Sequence, residues 1–313
     1  MVTKEMIFKE LVKNGYSQIK SGKVWDIADM SFLYLTPEMA QSFLKLKEHP
    51  RYKATVVNIE IGLLKKHASY FLKCVKDCKF NLIDMGCSDG LKAISLIRSL
   101  SRNINFRYCP VNINEHLVDL AMDNVKKEGF DSIVDYAPRV SQDFASMEEI
   151  GAALRNSTYQ KNVILLLGSI LGGFQINDYL FRLSRSMFPE DVLIIGNGVR
   201  KGERFVNLDT YKNSIFHEWF VHLLKEIGFA ENEIEYDARF NNERVEGFYK
   251  IKVDKDIASG RNKITFKAGD EIIVAAIYKY YGNELEKFCK MYFPEVKLVR
   301  DEEEEYALVF CKK

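Results

Sequence analysis

The residues best suited to chemistry lie in one glycine-containing stretch of the chain. An apolar run at 80–83 predicts a buried strand, Asp84 follows it, and Gly86 and Gly90 bracket a turn before apolar residues at helical spacing. The glycines allow close backbone approach to a flat or anionic ligand, and the first turn of a helix offers unpaired N–H donors. The stretch therefore predicts a ligand-binding strand, turn and helix, with an ordinary tight turn as the alternative.

Several other chemistries are disfavoured by spacing. No Gly-Lys-Ser/Thr closes the turn, and Gly86-x-x-x-Gly90 lacks the three-glycine dinucleotide pattern, so nucleoside triphosphates and NAD are poor candidates. The six cysteines show no paired metal-site spacing and are expected to be structural thiols. His217 and His222 lie five residues apart, on different faces of a helix, so no metal site is expected.

The elements around the turn alternate between strand and helix. Apolar runs predict strands at 105–113, 132–136, 162–168 and 191–196, and helical spacing predicts helices at 115–128, 147–154 and 178–187. Continuous apolar runs are typical of parallel strands buried on both faces. The pattern predicts an α/β fold with a doubly wound, mostly parallel sheet, whose ligand lies beyond the carboxyl ends of the strands.

The remainder of the chain predicts a second α+β lobe. Helices are expected at 3–14, from Thr36 as a cap, and at 56–72, and later at 216–224 and 283–291. Alternating stretches at 245–253 and 263–266 predict an antiparallel sheet, and a last strand is expected at 306–311. We expect a ligand-binding domain at 61–197 plus 284–313 and an auxiliary substrate lobe at 1–60 plus 198–283.

Bulk charge favours a small-molecule partner. The chain has 45 basic and 44 acidic residues and a net charge of +1, which disfavours a nucleic-acid or membrane-surface partner. Residues 1–15 lack the long apolar core of a signal peptide or membrane span, so a cytoplasmic location is expected. The oligomeric state is left open.

With the elements placed, the chain resembles a known enzyme family. The Asp84 turn is similar to motif I of class I methyltransferases that use S-adenosylmethionine (SAM), and nearly the whole chain resembles the histidine N-alpha-methyltransferases of the ergothioneine pathway. The matching segments are DMGCSDGLK at 84–92, YCPVNIN at 108–114, QDF at 142–144, LGSILGGF at 167–174, FKAGDE at 266–271 and YKY at 278–280. The resemblance implies a class I methyltransferase fold, Rossmann-like, and SAM as the cofactor.

The resemblance also implies a set of cofactor contacts. By this resemblance, Lys92 pairs with the methionine carboxylate of the cofactor; the alternative is that Lys92 is an ordinary surface lysine. Asp143 and Phe144 match the pair that the family places on the adenine, with an ordinary loop carboxylate as the alternative for Asp143. The implied cofactor-binding residues are Gly86, Cys87, Ser88, Gly90, Lys92, Asn112, Ile113, Asp143, Phe144 and Gly168.

The chain departs from the family at the substrate contacts. Gly173 stands where the family has an asparagine, and Ala275 and Ile277 stand where it has a glutamate and a serine. At the ribose, Asn112 replaces an aspartate and loses charge assistance. Loss of polar substrate contacts redirects selection, which makes histidine an unexpected substrate.

Two further residues match family positions near the substrate. Tyr211 matches a tyrosine near the substrate carboxylate, with lobe packing as the alternative, and Glu246 matches an acidic position, with a strand ion pair as the alternative. The register of Tyr34 and Tyr52 is left open.

The sequence thus predicts a SAM-dependent methyltransferase acting on a small amine or amino-acid derivative other than unmodified histidine. A non-catalytic, ligand-binding descendant is the alternative, and methylation of nucleic acid or protein is weaker because no basic stripe with aromatics is visible. No catalytic residue is predicted, since a neutral nucleophile needs no strong base.

Overall fold

The computed structural model describes residues 2–20, 22–75, 78–100, 104–130, 134–137, 140–141, 147–201, 208–260 and 262–313. The chain divides into two compact units. The first unit is Met1–His49 with Phe205–Tyr278, and the second unit is Pro50–Arg204 with Lys279–Lys313. The domain borders expected after residues 60, 197 and 283 all fall inside the second unit.

The helices begin and end as follows. They are α1 Val2–Asn14, α2 Pro37–Glu48, α3 Pro50–Tyr52, α4 Asn58–Lys66, α5 Ala68–Cys74, α6 Leu91–Arg98, α7 Glu115–Lys127, α8 Met147–Leu154, α9 Ile176–Ser186, α10 Leu208–Tyr211, α11 Ser214–Ile227 and α12 Gly282–Tyr292. A π-helical stretch, Lys53–Val57, links α3 to α4, and short 3-10 helices span Met30–Tyr34, Ile170–Gly173 and Glu231–Glu233. Among the described residues, no helix is both long enough and apolar enough to cross a bilayer.

The strands are short and numerous. They are β1 Tyr16–Ile19, β2 Gly22–Asp26, β3 Phe80–Met85, β4 Phe106–Asn112, β5 Val134–Tyr136, β6 Val140–Ser141, β7 Lys161–Leu166, β8 Val192–Gly198, β9 Ile234–Asn241, β10 Arg244–Ile251, β11 Lys255–Ser259, β12 Asn262–Phe266, β13 Glu271–Tyr278, β14 Glu295–Arg300 and β15 Tyr306–Lys312.

The second unit contains the mostly parallel sheet that the apolar runs predict. Its described strands follow the order β14-β15-β8-β7-β3-β4-β5, with β6 also paired to β4. All pairs from β8 to β5 are parallel, whereas β15 runs antiparallel to β8 and β14. Every residue of β3 is buried, as a strand covered on both faces requires. The carboxyl ends of β3, β4, β7 and β8 therefore lie along one edge of the sheet.

The first unit contains a smaller sheet of order β1-β2-β13-β10-β9 and the separate hairpin β11-β12. Its pairs are antiparallel except for β13 with β2. A bulge between Gly247 and Phe248 shifts the register of β10 against β13.

Several elements differ from the sequence predictions. The helix expected at 56–72 is broken at His67, whose φ of −108° and ψ of 13° lie outside helical values. Strands β1, β9 and β14 were not predicted, because their residues are largely polar or half-exposed and carry no clear apolar alternation. The strand expected at 132–136 is described only from Val134.

Candidate functional site

The turn after β3 has the backbone geometry that the glycines predict. Gly86, Ser88 and Gly90 have φ values of 71°, 54° and 76°, a region that favours glycine. The Gly86 amide donates to the Val111 carbonyl at 2.8 Å, and the Gly90 amide donates to the Cys87 carbonyl at 2.8 Å. The turn is therefore held against the end of β4, with its backbone close to the carboxyl edge of the sheet.

Close packing against α7 supports this turn. A Cβ on Gly90 would lie 3.1 Å from the Ala121 carbonyl oxygen, in a helix that passes directly behind it. The Cys87 thiol, 5 % exposed, donates to the Leu117 carbonyl at 3.7 Å. Cys87 thus contributes its backbone to the turn, while its side chain packs on α7.

Asp84, a buried acidic residue, lies near the carboxyl end of β3, just before the turn. Asp84 is 4 % exposed and accepts a hydrogen bond from the Tyr108 hydroxyl at 2.9 Å. Burial, and then the charge of Asp84, raise the pKa of Tyr108 well above its usual range. Tyr108 therefore stays protonated and donates, which fixes the orientation of the carboxylate.

Asn112 ends β4 next to the turn. It is 3 % exposed, and its Oδ1 accepts from the Asn114 amide at 3.0 Å. Because the oxygen is engaged by the backbone, the amide nitrogen is the group that Asn112 offers as a hydrogen-bond donor. Asn114 in turn caps α7 by accepting from the His116 amide at 3.1 Å, and the half-buried Ile113 joins the two.

A second strained turn follows β7. Gly168 and Ser169 have φ values of 80° and 63°. The Ser169 amide donates to the Gly196 carbonyl at 2.9 Å, and the Gly198 amide donates to the Ser169 hydroxyl at 2.9 Å. Gly173, half-exposed, ends the 3-10 helix that continues from this turn.

Lys92 has a partner that the sequence did not predict. Its ammonium forms an ion pair with Glu60, a glutamate of α4 whose side chain is 0 % exposed. The helical spacing of Glu60 with the buried Leu63 and Leu64 places it on the apolar face of α4. That spacing was the available signal, since a charge on an apolar face requires a partner.

Two predicted residues, Asp143 and Phe144, lie outside the described residues. Within the ranges that are described, no group of three or more His, Cys, Asp or Glu side chains could hold a metal ion. His217 Nδ1 lies 3.1 Å from the Tyr249 hydroxyl, and His222 Nε2 lies 3.0 Å from the Ser42 hydroxyl.

Tyr211 and Ala275 are linked through neighbours in the first unit. The Tyr236 hydroxyl donates to the Tyr211 carbonyl at 2.7 Å, and it would lie 3.4 Å from a Cβ on Gly247. Gly247 is the cross-strand partner of Ala275. Ile277 pairs with Val245, and this pair lies on the same face of the sheet as Ala275 and Gly247, because residues two apart in a strand share a face.

Glu246 lies on the opposite face, paired with Ala276. It is 0 % exposed and accepts from Arg239 Nε at 2.7 Å and Arg244 Nε at 2.8 Å. Burial lowers the pKa of Arg239, but hydrogen bonds to Glu271 and Glu246 outweigh it and raise the net value. Glu246 therefore belongs to a buried ion-pair network, on the face away from Ala275 and Ile277.

The two N-terminal tyrosines have different surroundings. Tyr34, 7 % exposed, packs edge-on against Phe43 at a ring distance of 5.1 Å and against Trp219 at 5.5 Å. Tyr52 ends α3, in the second unit.

Comparison with known proteins gives one match to a sequence family and several to solved structures. A model of the histidine-specific, SAM-dependent methyltransferases matches residues 36–313. No curated protein matches the sequence.

The solved structures are similar at low identity. DesVI of Streptomyces venezuelae is 12% identical, with a TM-score of 0.39 over 87% of this chain and 96% of that one. The PH0226 protein from Pyrococcus horikoshii OT3 is 12% identical, with a TM-score of 0.44 over 88% and 99%. The CurJ carbon methyltransferase is 10% identical, with a TM-score of 0.47 over 90% and 60%. Such low identities carry no inference about activity.

Proposed function

We propose that the methyl acceptor of this chain, which belongs to the family of SAM-dependent, histidine-specific methyltransferases, is a small amine or amino-acid derivative other than unmodified histidine. Family membership makes the chain a SAM-dependent methyltransferase. The identity of the acceptor is the proposal.

The described residues fit the cofactor that the family implies. The positive φ values at Gly86, Gly90 and Gly168 are a backbone cradle that brings amides close to a ligand. Asn112 offers an amide donor where a ribose hydroxyl would lie, and Lys92 offers ammonium donors for a carboxylate. We therefore assign these residues to the adenosine and methionine parts of SAM.

The side chains at the family's substrate positions support a changed acceptor. Ala275, 5 % exposed, and Ile277 share one face of β13 with the partner positions Gly247 and Val245, and the Phe220 ring and the Tyr236 hydroxyl lie next to Gly247 on that face. None of the side chains at the four strand positions can donate or accept a hydrogen bond. A site that recognises an imidazole by hydrogen bonds can owe selectivity of about 10⁴ to its polar groups, so apolar side chains at these positions favour an acceptor with an apolar body.

When bound, SAM supplies an electrophilic methyl group on a sulfonium, so transfer forms a bond from the acceptor lone pair to carbon while the carbon–sulfur bond breaks. The chain's contribution is then to orient the reactants and exclude water. Positioning of this kind supplies about 7–11 kcal/mol in well-oriented cases. An amine that enters neutral releases its proton after transfer, and needs no strong base in the protein.

The test is formation of S-adenosylhomocysteine from SAM in the presence of single candidate acceptors. We expect turnover with an amine or amino acid that carries an apolar or aromatic side chain, and none above background with histidine. Methylation of histidine with the highest kcat/KM of the panel would refute the proposal.

A matched pair of glycine variants controls for contaminating activity. Gly86→Ala strains a φ of 71° at the cofactor turn, and Gly129→Ala strains a φ of 69° in open space at the end of α7. The backbone strain from the positive φ is similar in the two variants, about 1–2 kcal/mol. Activity that belongs to this site falls in Gly86→Ala and persists in Gly129→Ala.

A further inference from the structure

Glu60 is a fully buried glutamate whose carboxyl group contacts three separate elements of the second unit. Its Oε1 accepts from the Gly168 amide at 2.8 Å and from the Tyr306 hydroxyl at 2.7 Å, and its Oε2 pairs with the Lys92 ammonium. The side chain is 0 % exposed. Oε1 therefore has two hydrogen-bond donors, whereas Oε2 is held by the ion pair with Lys92 and accepts no hydrogen bond of regular geometry from the described residues.

The neighbouring strand leaves room for this carboxylate. A Cβ on Gly196 of β8 would lie 1.7 Å from Glu60 Oε1, far inside any allowed contact. Burial, and then the charge of Glu60, raise the pKa of Tyr306 well above its usual range, so its hydroxyl stays protonated and donates. The packing of β8 and β15 thus leaves room for the Glu60 carboxyl group and gives it a donor.

The partners of Glu60 lie on separate elements that meet at the carboxyl edge of the sheet. Lys92 lies in the first turn of α6, directly after the Gly86 turn, and Gly168 begins the turn after β7. The Lys92 ammonium would also lie 2.7 Å from a Cβ on Gly168. Glu60 consequently holds the lysine and the second turn against each other.

We propose that Glu60 is a positioning residue for the amino-acid end of the cofactor, which acts through Lys92 and the Gly168 turn without touching the cofactor itself. The inference rests on the proposed placement of SAM. An ammonium has three donors, so pairing with Glu60 fixes its position and leaves donors for the methionine carboxylate. An apolar residue at position 60 would leave the Gly168 amide and the Tyr306 hydroxyl without this acceptor, and it would leave the lysine free to sample many rotamers.

The experiment compares ligands that differ only in the amino-acid end. Calorimetry on the full chain gives dissociation constants for SAM, S-adenosylhomocysteine and 5′-methylthioadenosine, which keeps the adenosine and sulfur but lacks the amino acid. In Glu60→Gln we expect SAM and S-adenosylhomocysteine to weaken about tenfold or more, the loss of one hydrogen bond to a charged group, while 5′-methylthioadenosine changes by less than about twofold.

Asp191→Asn is the matched structural control. Asp191 is also 0 % exposed, accepts from the Asn162 and Phe188 amides at 2.8 Å, and pairs with Arg155, yet it precedes β8 at the opposite edge of the sheet. This variant should lower the melting temperature without changing the ratio of the ligand affinities.

A Lys92→Gln background tests the proposed route. Because Lys92 is one of the two proposed routes, adding Glu60→Gln to Lys92→Gln should weaken S-adenosylhomocysteine by a smaller factor than Glu60→Gln does in the wild type, and an equal factor would show that Lys92 is not a route. Tyr306→Phe removes one hydrogen-bond donor to Glu60 and keeps the Glu60 carboxyl group. A selective weakening of S-adenosylhomocysteine, by a smaller factor than in Glu60→Gln, supports the inference. This variant replaces Glu60→Gln in the test if Glu60→Gln fails to fold.

The outcomes separate the two levels of the argument. Equal weakening of all three ligands in Glu60→Gln, or no weakening, overturns the positioning role while the cofactor site stands. Failure of the wild-type chain to bind SAM or S-adenosylhomocysteine overturns the proposed placement of the cofactor and this inference with it.

Discussion

Asn112→Asp should tighten cofactor binding while destabilising the free protein. In the wild type, the Asn112 oxygen accepts from the Asn114 amide at 3.0 Å, so the amide nitrogen is the group that we assign to the proposed ribose contact. An aspartate keeps the bond from Asn114 with one oxygen and offers the other as a charged acceptor for a ribose hydroxyl. The contact therefore changes from a neutral to a charge-assisted hydrogen bond.

The magnitude follows from the two kinds of bond. A neutral hydrogen bond contributes about 1 kcal/mol and one to a charged group about 1.5–3, so the gain is about 1 kcal/mol, or about fivefold in affinity. Without ligand, the new carboxylate at a position 3 % exposed is only partly satisfied, which costs about 1–3 kcal/mol of stability.

Calorimetry with S-adenosylhomocysteine and thermal unfolding of the free protein measure the two effects. Asn114→Asp is the control, because Asn114 caps α7 through its Oδ1 and has no assigned ribose contact. It should leave the affinity unchanged. Weaker or unchanged binding in Asn112→Asp, with the fold retained, would refute the assignment of Asn112 to the ribose.

Other predictions concern stability. Gly196→Ala forces Glu60 out of its place, since the new Cβ would lie 1.7 Å from Oε1, and should lower the free energy of unfolding in urea by about 3 kcal/mol or more. Its control is Gly62→Ala, in the same helix as Glu60 and with open space around it, which should raise the free energy of unfolding by up to about 1 kcal/mol. A loss in Gly196→Ala no larger than about 0.5 kcal/mol would contradict the packing around Glu60. Glu246→Gln leaves two arginines without their buried carboxylate and should cost about 3–5 kcal/mol in the same assay, whereas a loss below about 1 kcal/mol is what an exposed pair would give. Burial, and then nearby lysines, lower the pKa of His222 in the fold. The unfolded chain therefore binds more protons, and the free energy of unfolding falls as pH drops below about 6.5. His222→Gln should lose less stability than the wild type between about pH 7.5 and about pH 5.5, and an identical loss would count against the burial of this ring.

The sheet of the second unit could be predicted from sequence because its strands are apolar on both faces. The runs at β3, β7 and β8 can pack only inside a covered parallel sheet, and the glycines at 86 and 90 fall where the chain takes positive φ. These signals are local, so a single sequence carries them.

The rest of the fold depends on partners that are distant in sequence. Strand β1 is mostly exposed and polar, and it forms a strand by pairing antiparallel with β2, from Tyr16 opposite Trp25 to Ile19 opposite Gly22. The partners of Glu60 lie 32, 108 and 246 residues away, at Lys92, Gly168 and Tyr306. Helical spacing puts Glu60 on an apolar face, but it names none of these partners. The pairing of Lys92 with Glu60 could therefore be seen only once the chain was folded.

The central claim is that the chain binds SAM and transfers its methyl group to an acceptor other than histidine. Calorimetric titration of the wild-type chain with SAM and S-adenosylhomocysteine, followed by histidine added to the saturated complex, tests it most directly. The account predicts saturable binding of both cofactor forms and no heat from histidine. Absence of binding of either form at about 1 mM, or tight binding of histidine to the complex, would contradict it.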